Sequence, residues 1–130
     1  MIVLDTSAWI EMLVGSNSGG LIDQRIKSAG ELIVPTIVQL ELAKWALRED
    51  GQKKAEDLIA HTSQLLVVPL DTGTAFSAAT ISRDHKLHTT DAIIYATAQL
   101  HDAPLLTCDA HFKGLPGVEY FEKVGVVAGV

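Results

Sequence analysis

Five short apolar runs, at 1–4, 31–34, 65–70, 104–108 and more weakly 117–121, are separated by longer segments whose apolar residues recur at helical spacing. Such alternation specifies an α/β domain with a mainly parallel sheet, because parallel neighbours must be joined by a crossover, usually a helix. Two of the runs stop at an aspartate: Met1-Ile2-Val3-Leu4-Asp5 and Leu105-Leu106-Thr107-Cys108-Asp109. Strands rich in Val, Ile and Leu are buried on both faces, and an open parallel sheet binds ligands just beyond the carboxyl ends of its strands. Two acids at that edge point to a bound metal ion.

The intervening segments carry recognisable punctuation. Thr6 or Ser7 can cap a short helix over 8–14, and Gly15-Ser16-Asn17-Ser18-Gly19-Gly20 reads as a flexible break, a candidate mobile lip, before a second helix ending near Ala29. Thr36 with Gln39 has the form of a capping box after Pro35 and opens a helix through about Glu49; Gly51 then marks a break before a helix over 52–62, giving a helical hairpin. Residues 72–86 and 90–102 read as two further helices, the second apolar nearly all round and therefore buried. The tail Val124-Gly125-Val126-Val127-Ala128-Gly129-Val130 can fray or pack on a partner.

At 130 residues the chain is expected to form one domain, 1–130, and no apolar run approaches the roughly 18–20 residues of a membrane span. Nothing resembles an export signal, so the expected compartment is the cytoplasm. Cys108 is the single cysteine, which excludes an internal disulfide and a thiolate zinc centre and leaves it as core filler. A net charge of −6 argues against a protein that coats nucleic acid by neutralising phosphates. It does not exclude a metal-dependent enzyme, whose carboxylates are balanced by divalent cations when bound.

Two more acids sit oddly for solvent-facing residues. Asp91, in Thr90-Asp91-Ala92-Ile93-Ile94-Tyr95, shares its helical face with Ile94 and Tyr95; Glu41 shares its own with Ile37, Val38 and Trp45. Each acid also has a bland reading. Asp91 can complement a helix dipole, Glu41 can pair with Lys44, and Asp5 and Asp109 can cap the helices that follow them. Leu70-Asp71 repeats the strand-then-acid pattern, but in a 3-2-1-4-5 strand order its strand lies at the edge while those of Asp5 and Asp109 are central neighbours, so Asp71 is expected only to cap the next helix. Four converging carboxylates require a counter-ion, since two unit charges about 4 Å apart repel by roughly 4 kcal/mol at an effective dielectric of 20. All-oxygen ligation suits Mg²⁺ or Mn²⁺, and Mg²⁺ favours phosphate co-ligands, so the chemistry indicated is phosphodiester hydrolysis by metal-activated water.

Taken together, Ile2-Val3-Leu4-Asp5-Thr6-Ser7, Glu41 in a helix after a Pro-Thr turn, Thr89-Thr90-Asp91-Ala92 and Leu106-Thr107-Cys108-Asp109-Ala110-His111-Phe112 resemble the motifs of PIN-domain ribonucleases, and the chain is similar in size to VapC toxins of toxin–antitoxin pairs. The likeness covers nearly the whole chain. It implies a three-layer, Rossmann-like α/β fold with a mainly parallel central sheet flanked by helices. It also implies a Mg²⁺- or Mn²⁺-binding acidic centre, endonucleolytic cleavage of RNA, a homodimer and inhibition by a cognate antitoxin. Asp5, Glu41, Asp91 and Asp109 match the acidic positions. Asp5 and Asp91 are assigned to direct metal binding, Asp109 to completing the shell or holding a second ion, and Glu41 to ligation or to orienting the attacking water.

Thr6, Ser7 and Thr107 can hydrogen-bond a ligating carboxylate or a phosphate, or merely satisfy turn and strand ends. His85 and His88 could pair on a metal, but with Arg83 and Lys86 beside them they read as a solvated basic helix end; with Lys44 and Arg48 these are candidates for RNA phosphate contacts. His111 is assigned a structural role, and Trp9 and Trp45 the core or a protein interface rather than base stacking. Two alternatives remain: a PIN-type nuclease of RNA maturation or DNA processing, and a catalytically inactive module that binds RNA or protein. Aspartyl-phosphate chemistry is disfavoured because Asp5 is followed by Thr6 and Ser7 instead of the second acid of an Asp-x-Asp pair.

Overall fold

The computed structural model describes residues 1–28 and 30–123. Five strands, β1 (Ile2–Leu4), β2 (Leu32–Pro35), β3 (Leu66–Val68), β4 (Leu105–Thr107) and β5 (Val118–Tyr120), form one parallel sheet in the order β3-β2-β1-β4-β5. Six helices pack around it: α1 (Thr6–Val14), α2 (Asn17–Lys27), α3 (Thr36–Glu49), α4 (Gln52–Thr62), α5 (Thr72–His85) and α6 (Thr89–Leu100). The chain winds from β1 outward through β2 to β3, then returns across β1 to β4 and β5; right-handed crossovers, the rule for parallel strands, run in two directions from such a return and so place helices on both faces of a sheet. The result is the expected α/β, Rossmann-like architecture.

β1 is central, with Ile2 and Val3 opposite Leu32 and Ile33 on one side and Val3 and Leu4 opposite Leu105 and Leu106 on the other. All of β1 and β4 is buried, which is why both read as continuous apolar runs. α6 buries seven consecutive residues, Ala92–Ala98; the small side chains of Ala92, Ala96 and Ala98 allow close packing, and Tyr95 satisfies its hydroxyl by donating to the Pro116 carbonyl at 2.5 Å.

Three local expectations are corrected. The Gly/Ser segment is no mobile lip, because α2 begins at Asn17 and runs straight through Ser18-Gly19-Gly20. Ser16 caps it, accepting from the Gly19 amide at 3.0 Å, and Ser18 and Gly19 are buried. A Cβ on Gly19 would stand 2.1 Å from the Glu11 carbonyl oxygen, so glycine here permits α2 to lie directly on α1. Second, α1 is capped by Asp5 rather than by Thr6 or Ser7. Third, no capping box forms at Thr36: α3 starts without a side-chain cap, and Gln39 instead donates to Thr62 at 3.1 Å, tying α3 to α4. The 124–130 tail and Ala29 lie outside the described residues.

Candidate active site

The return of the chain across β1 creates a switch point between β1 and β4, and the loops leaving those two strands carry Asp5 and Asp109. Asp5 is 3% exposed and holds three donors. Its Oδ1 accepts from the Ser7 hydroxyl at 2.7 Å and the Ala8 amide at 2.8 Å, and its Oδ2 accepts from the Thr107 hydroxyl at 2.5 Å. These donors favour the carboxylate, yet burial outweighs them: with the Asp109 charge adding to it, the Asp5 carboxyl is pushed up to about 6.

Two hydroxyls stitch the turns together. Thr107 donates to Asp5 while accepting from the Asp109 amide at 2.9 Å, and Ser7 donates to Asp5 while accepting from the Cys108 amide at 3.0 Å. The ends of β1 and β4 are thereby locked in register, and Asp109 is fixed beside Asp5. Thr6, at the start of α1, donates to Glu41 Oε1 at 2.5 Å. Glu41 therefore faces the α1 end of the cleft and does not pair with Lys44.

Asp91 lies half-buried in the first turn of α6. Burial, then Asp109 and then Glu41 raise its carboxyl above the usual range, with His111 and His88 acting in the opposite sense. Ligand atoms of Asp91, Asp109 and His111 lie within 4.8 Å of one another. Asp5 and Glu41 adjoin this group without entering it, because Asp5 is turned inward onto three donors and Glu41 is held by Thr6. Among the described residues no lysine or arginine pairs with any of the four acids. The carboxylate oxygens, with Asp5 and Asp91 raised first by burial and then by neighbouring negative charge, fit a divalent cation.

His111 is the residue that sequence reasoning undervalued. Asp109 caps a single 3₁₀ turn (Ala110–Phe112), which folds the ring back so that Nδ1 stands 2.7 Å from Asp109 Oδ1. The Asp-x-His spacing was visible, but the direction of the ring depends on the turn. His85 and His88 are both exposed: His85 meets the edge of Tyr95 at 6.0 Å, whereas His88 borders the cleft and meets His111 at 6.0 Å. Arg48 and Arg83 pair with their neighbours Glu49 and Asp84, whereas Lys44 and Lys86 are exposed. Trp9 is core, edge-on to His61, and Trp45 lines a separate groove with Leu13 and Leu58. Asp71 lies away from the cleft and caps α5, accepting from the Thr74 amide at 2.8 Å.

The PIN domain family model matches residues 2–118. No curated protein matches the chain in sequence. Among solved structures, it is similar to a toxin–antitoxin complex from Klebsiella pneumoniae (TM-score 0.79, 24% identity, covering 92% of this chain and 96% of that one). It is also similar to VapBC2 from Rickettsia felis, bound to a DNA fragment from their promoter (TM-score 0.73, 17% identity, 94% and 100%). A third is the sarcin–ricin loop-cleaving toxin VapC20 of Mycobacterium tuberculosis (TM-score 0.68, 18% identity, 86% and 92%).

Proposed function

The chain belongs to the PIN domain family, and from that premise we propose that it is a divalent-metal-dependent endoribonuclease, the single-domain toxin of a toxin–antitoxin pair. The observation that carries this reading is the meeting of acids at the β1–β4 switch point with no lysine or arginine paired to them among the described residues, with Asp5 and Asp91 both raised by burial first and like charge second. Such a site gains most from a cation and an anionic phosphodiester delivered together.

In this reading Asp5, Asp91 and Asp109 hold the ion. When bound, Mg²⁺ or Mn²⁺ supplies charge neutralisation at the scissile phosphate and lowers the pKa of the attacking water. Glu41, fixed by Thr6, orients that water. Thr107 and Ser7 act on the protein side, keeping Asp5 and the Asp109 turn at fixed separation so that the carboxylates need not reorganise on binding. Exposed Lys44, Lys86 and His88 are the groups available for phosphates flanking the cleavage point.

The structural neighbours include toxin–antitoxin complexes and a sarcin–ricin loop-cleaving toxin, which supports a cognate antitoxin as inhibitor and RNA as substrate; a homodimer as the toxin form is part of the same proposal. No helix among the described residues is long and apolar enough to cross a membrane, and the proposed site of action is the cytoplasm. The test is incubation of the purified chain with single-stranded RNA and with DNA, each with Mn²⁺, Mg²⁺ or EDTA. Internal RNA cleavage that requires the ion, and that Asp91→Asn lowers by at least about 100-fold, is expected. Metal-independent cleavage, DNA as the preferred substrate, or RNA binding without turnover would each overturn the proposal. Co-expression with the product of an adjacent small gene is expected to relieve growth arrest.

A further inference from the structure

Among the described residues, the potential ligands that lie within 4.8 Å of one another are two acids and an imidazole, Asp91, Asp109 and His111. His111 Nδ1 stands 2.7 Å from Asp109 Oδ1, an oxygen that also accepts from the His111 amide at 2.9 Å. The turn that aims the ring is anchored, because the next residue, Phe112, is fully buried and packs against Tyr95 with ring centroids 6.4 Å apart. The imidazole itself is solvent-accessible, and its ring stands edge to face with that of His88, centroids 6.0 Å apart.

We propose that His111 is a direct nitrogen ligand of the divalent ion, beside Asp91 and Asp109, and that this ligand makes the site prefer Mn²⁺ to Mg²⁺. The inference rests on the reading above that the acidic cleft holds a metal. Adjacent ligands around an ion with bonds near 2.1 Å are about 3 Å apart. The observed nitrogen–oxygen separation is thus within a few tenths of an ångström of one coordination edge, and a ligand atom of Asp91 lies within 4.8 Å of both. An imidazole discriminates between ions because Mg²⁺ holds to oxygen ligands and water, whereas first-row transition ions accept nitrogen. If His111 served only to hold Asp109 by a hydrogen bond, no such preference would arise.

The experiment is Mn²⁺ titration followed by electron paramagnetic resonance, with Mg²⁺ affinity measured by competition. Pulsed spectra of the wild-type complex are expected to show ¹⁴N coupling that disappears in His111→Ala and in His111→Gln. Both substitutions are expected to weaken Mn²⁺ by about tenfold or more and Mg²⁺ by less than about threefold. The exposed position makes misfolding an unconvincing explanation, and the Gln variant retains a hydrogen-bonding group for Asp109. Wild-type Mn²⁺ affinity in His111→Gln, or bound Mn²⁺ without ¹⁴N coupling, overturns the proposal. Asp91→Asn separates the two levels of the argument. If it abolishes Mn²⁺ binding and RNA cleavage while ¹⁴N coupling is absent from the wild type, only the imidazole assignment fails; if Mn²⁺ binds undiminished, the acidic-centre reading fails and this inference with it.

Discussion

Asp5 is a carboxyl held against its electrostatic preference. Three donors favour its ionised form, but burial and Asp109 push it up to about 6 from an ordinary value of 3.8. The folded metal-free protein therefore binds this proton more tightly than the unfolded chain does. It follows that the stabilisation from a protonated Asp5 is complete below about pH 4 and is lost as pH rises through about 6, a decline of about 3 kcal/mol for a two-unit shift. Urea denaturation with EDTA at pH 4, 5, 6 and 7 should show stability falling over that window once global acid effects are subtracted by means of Asp5→Asn. That variant should lack the decline, and because its neutral amide still accepts from Ser7 and Ala8 without burying a charge, its stability at pH 7 should equal or exceed that of wild type. Asp71 provides the contrast. It ends a strand in the same local sequence pattern, yet its carboxyl is lowered by the Thr74 amide it caps, and Asp71→Ala should lose about 1 kcal/mol of stability while RNA cleavage is unchanged. The two aspartates look alike in sequence because each follows an apolar run; their roles diverge because β1 has a neighbour on both sides and β3 on only one.

At the scale of elements, the departures from expectation share one cause. Gly19 and Gly20 read as a break because glycine is a poor helix former, by about 1 kcal/mol relative to alanine. The loss is outweighed by the close approach of α2 to α1, which a Cβ at Gly19 would block at the Glu11 carbonyl and Met12 Cα. Gly19→Ala should destabilise the protein by about 1–3 kcal/mol in thermal or urea unfolding, although the substitution improves intrinsic helix propensity. Gln39 likewise has a better partner in Thr62 on α4 than in its own helix end. By contrast, the breaks at Gly15 and Gly51 were legible, since both glycines adopt positive φ, 73° and 96°, at helix boundaries. Local signals succeed where the chain's neighbours in sequence are also its neighbours in space.

On the scale of the whole molecule, a cation that binds the folded cleft and not the unfolded chain should stabilise by mass action. At a free Mn²⁺ concentration about 100 times the dissociation constant the gain is about 2.7 kcal/mol, visible as a raised Tm that EDTA reverses and that Asp91→Asn abolishes. The sequence by itself determined the α/β class, the strand and helix order and the burial of α6, and it singled out the acids as candidates, because these follow from periodicity, strand composition and charges placed among apolar residues. Tertiary structure alone decided which acids share a volume, how Thr107 and Ser7 cross-link β1 to β4, and that His111 turns back onto Asp109. Those are contacts between residues as far as 102 positions apart, or depend on the rotation of one turn, and pattern along the chain fixes neither.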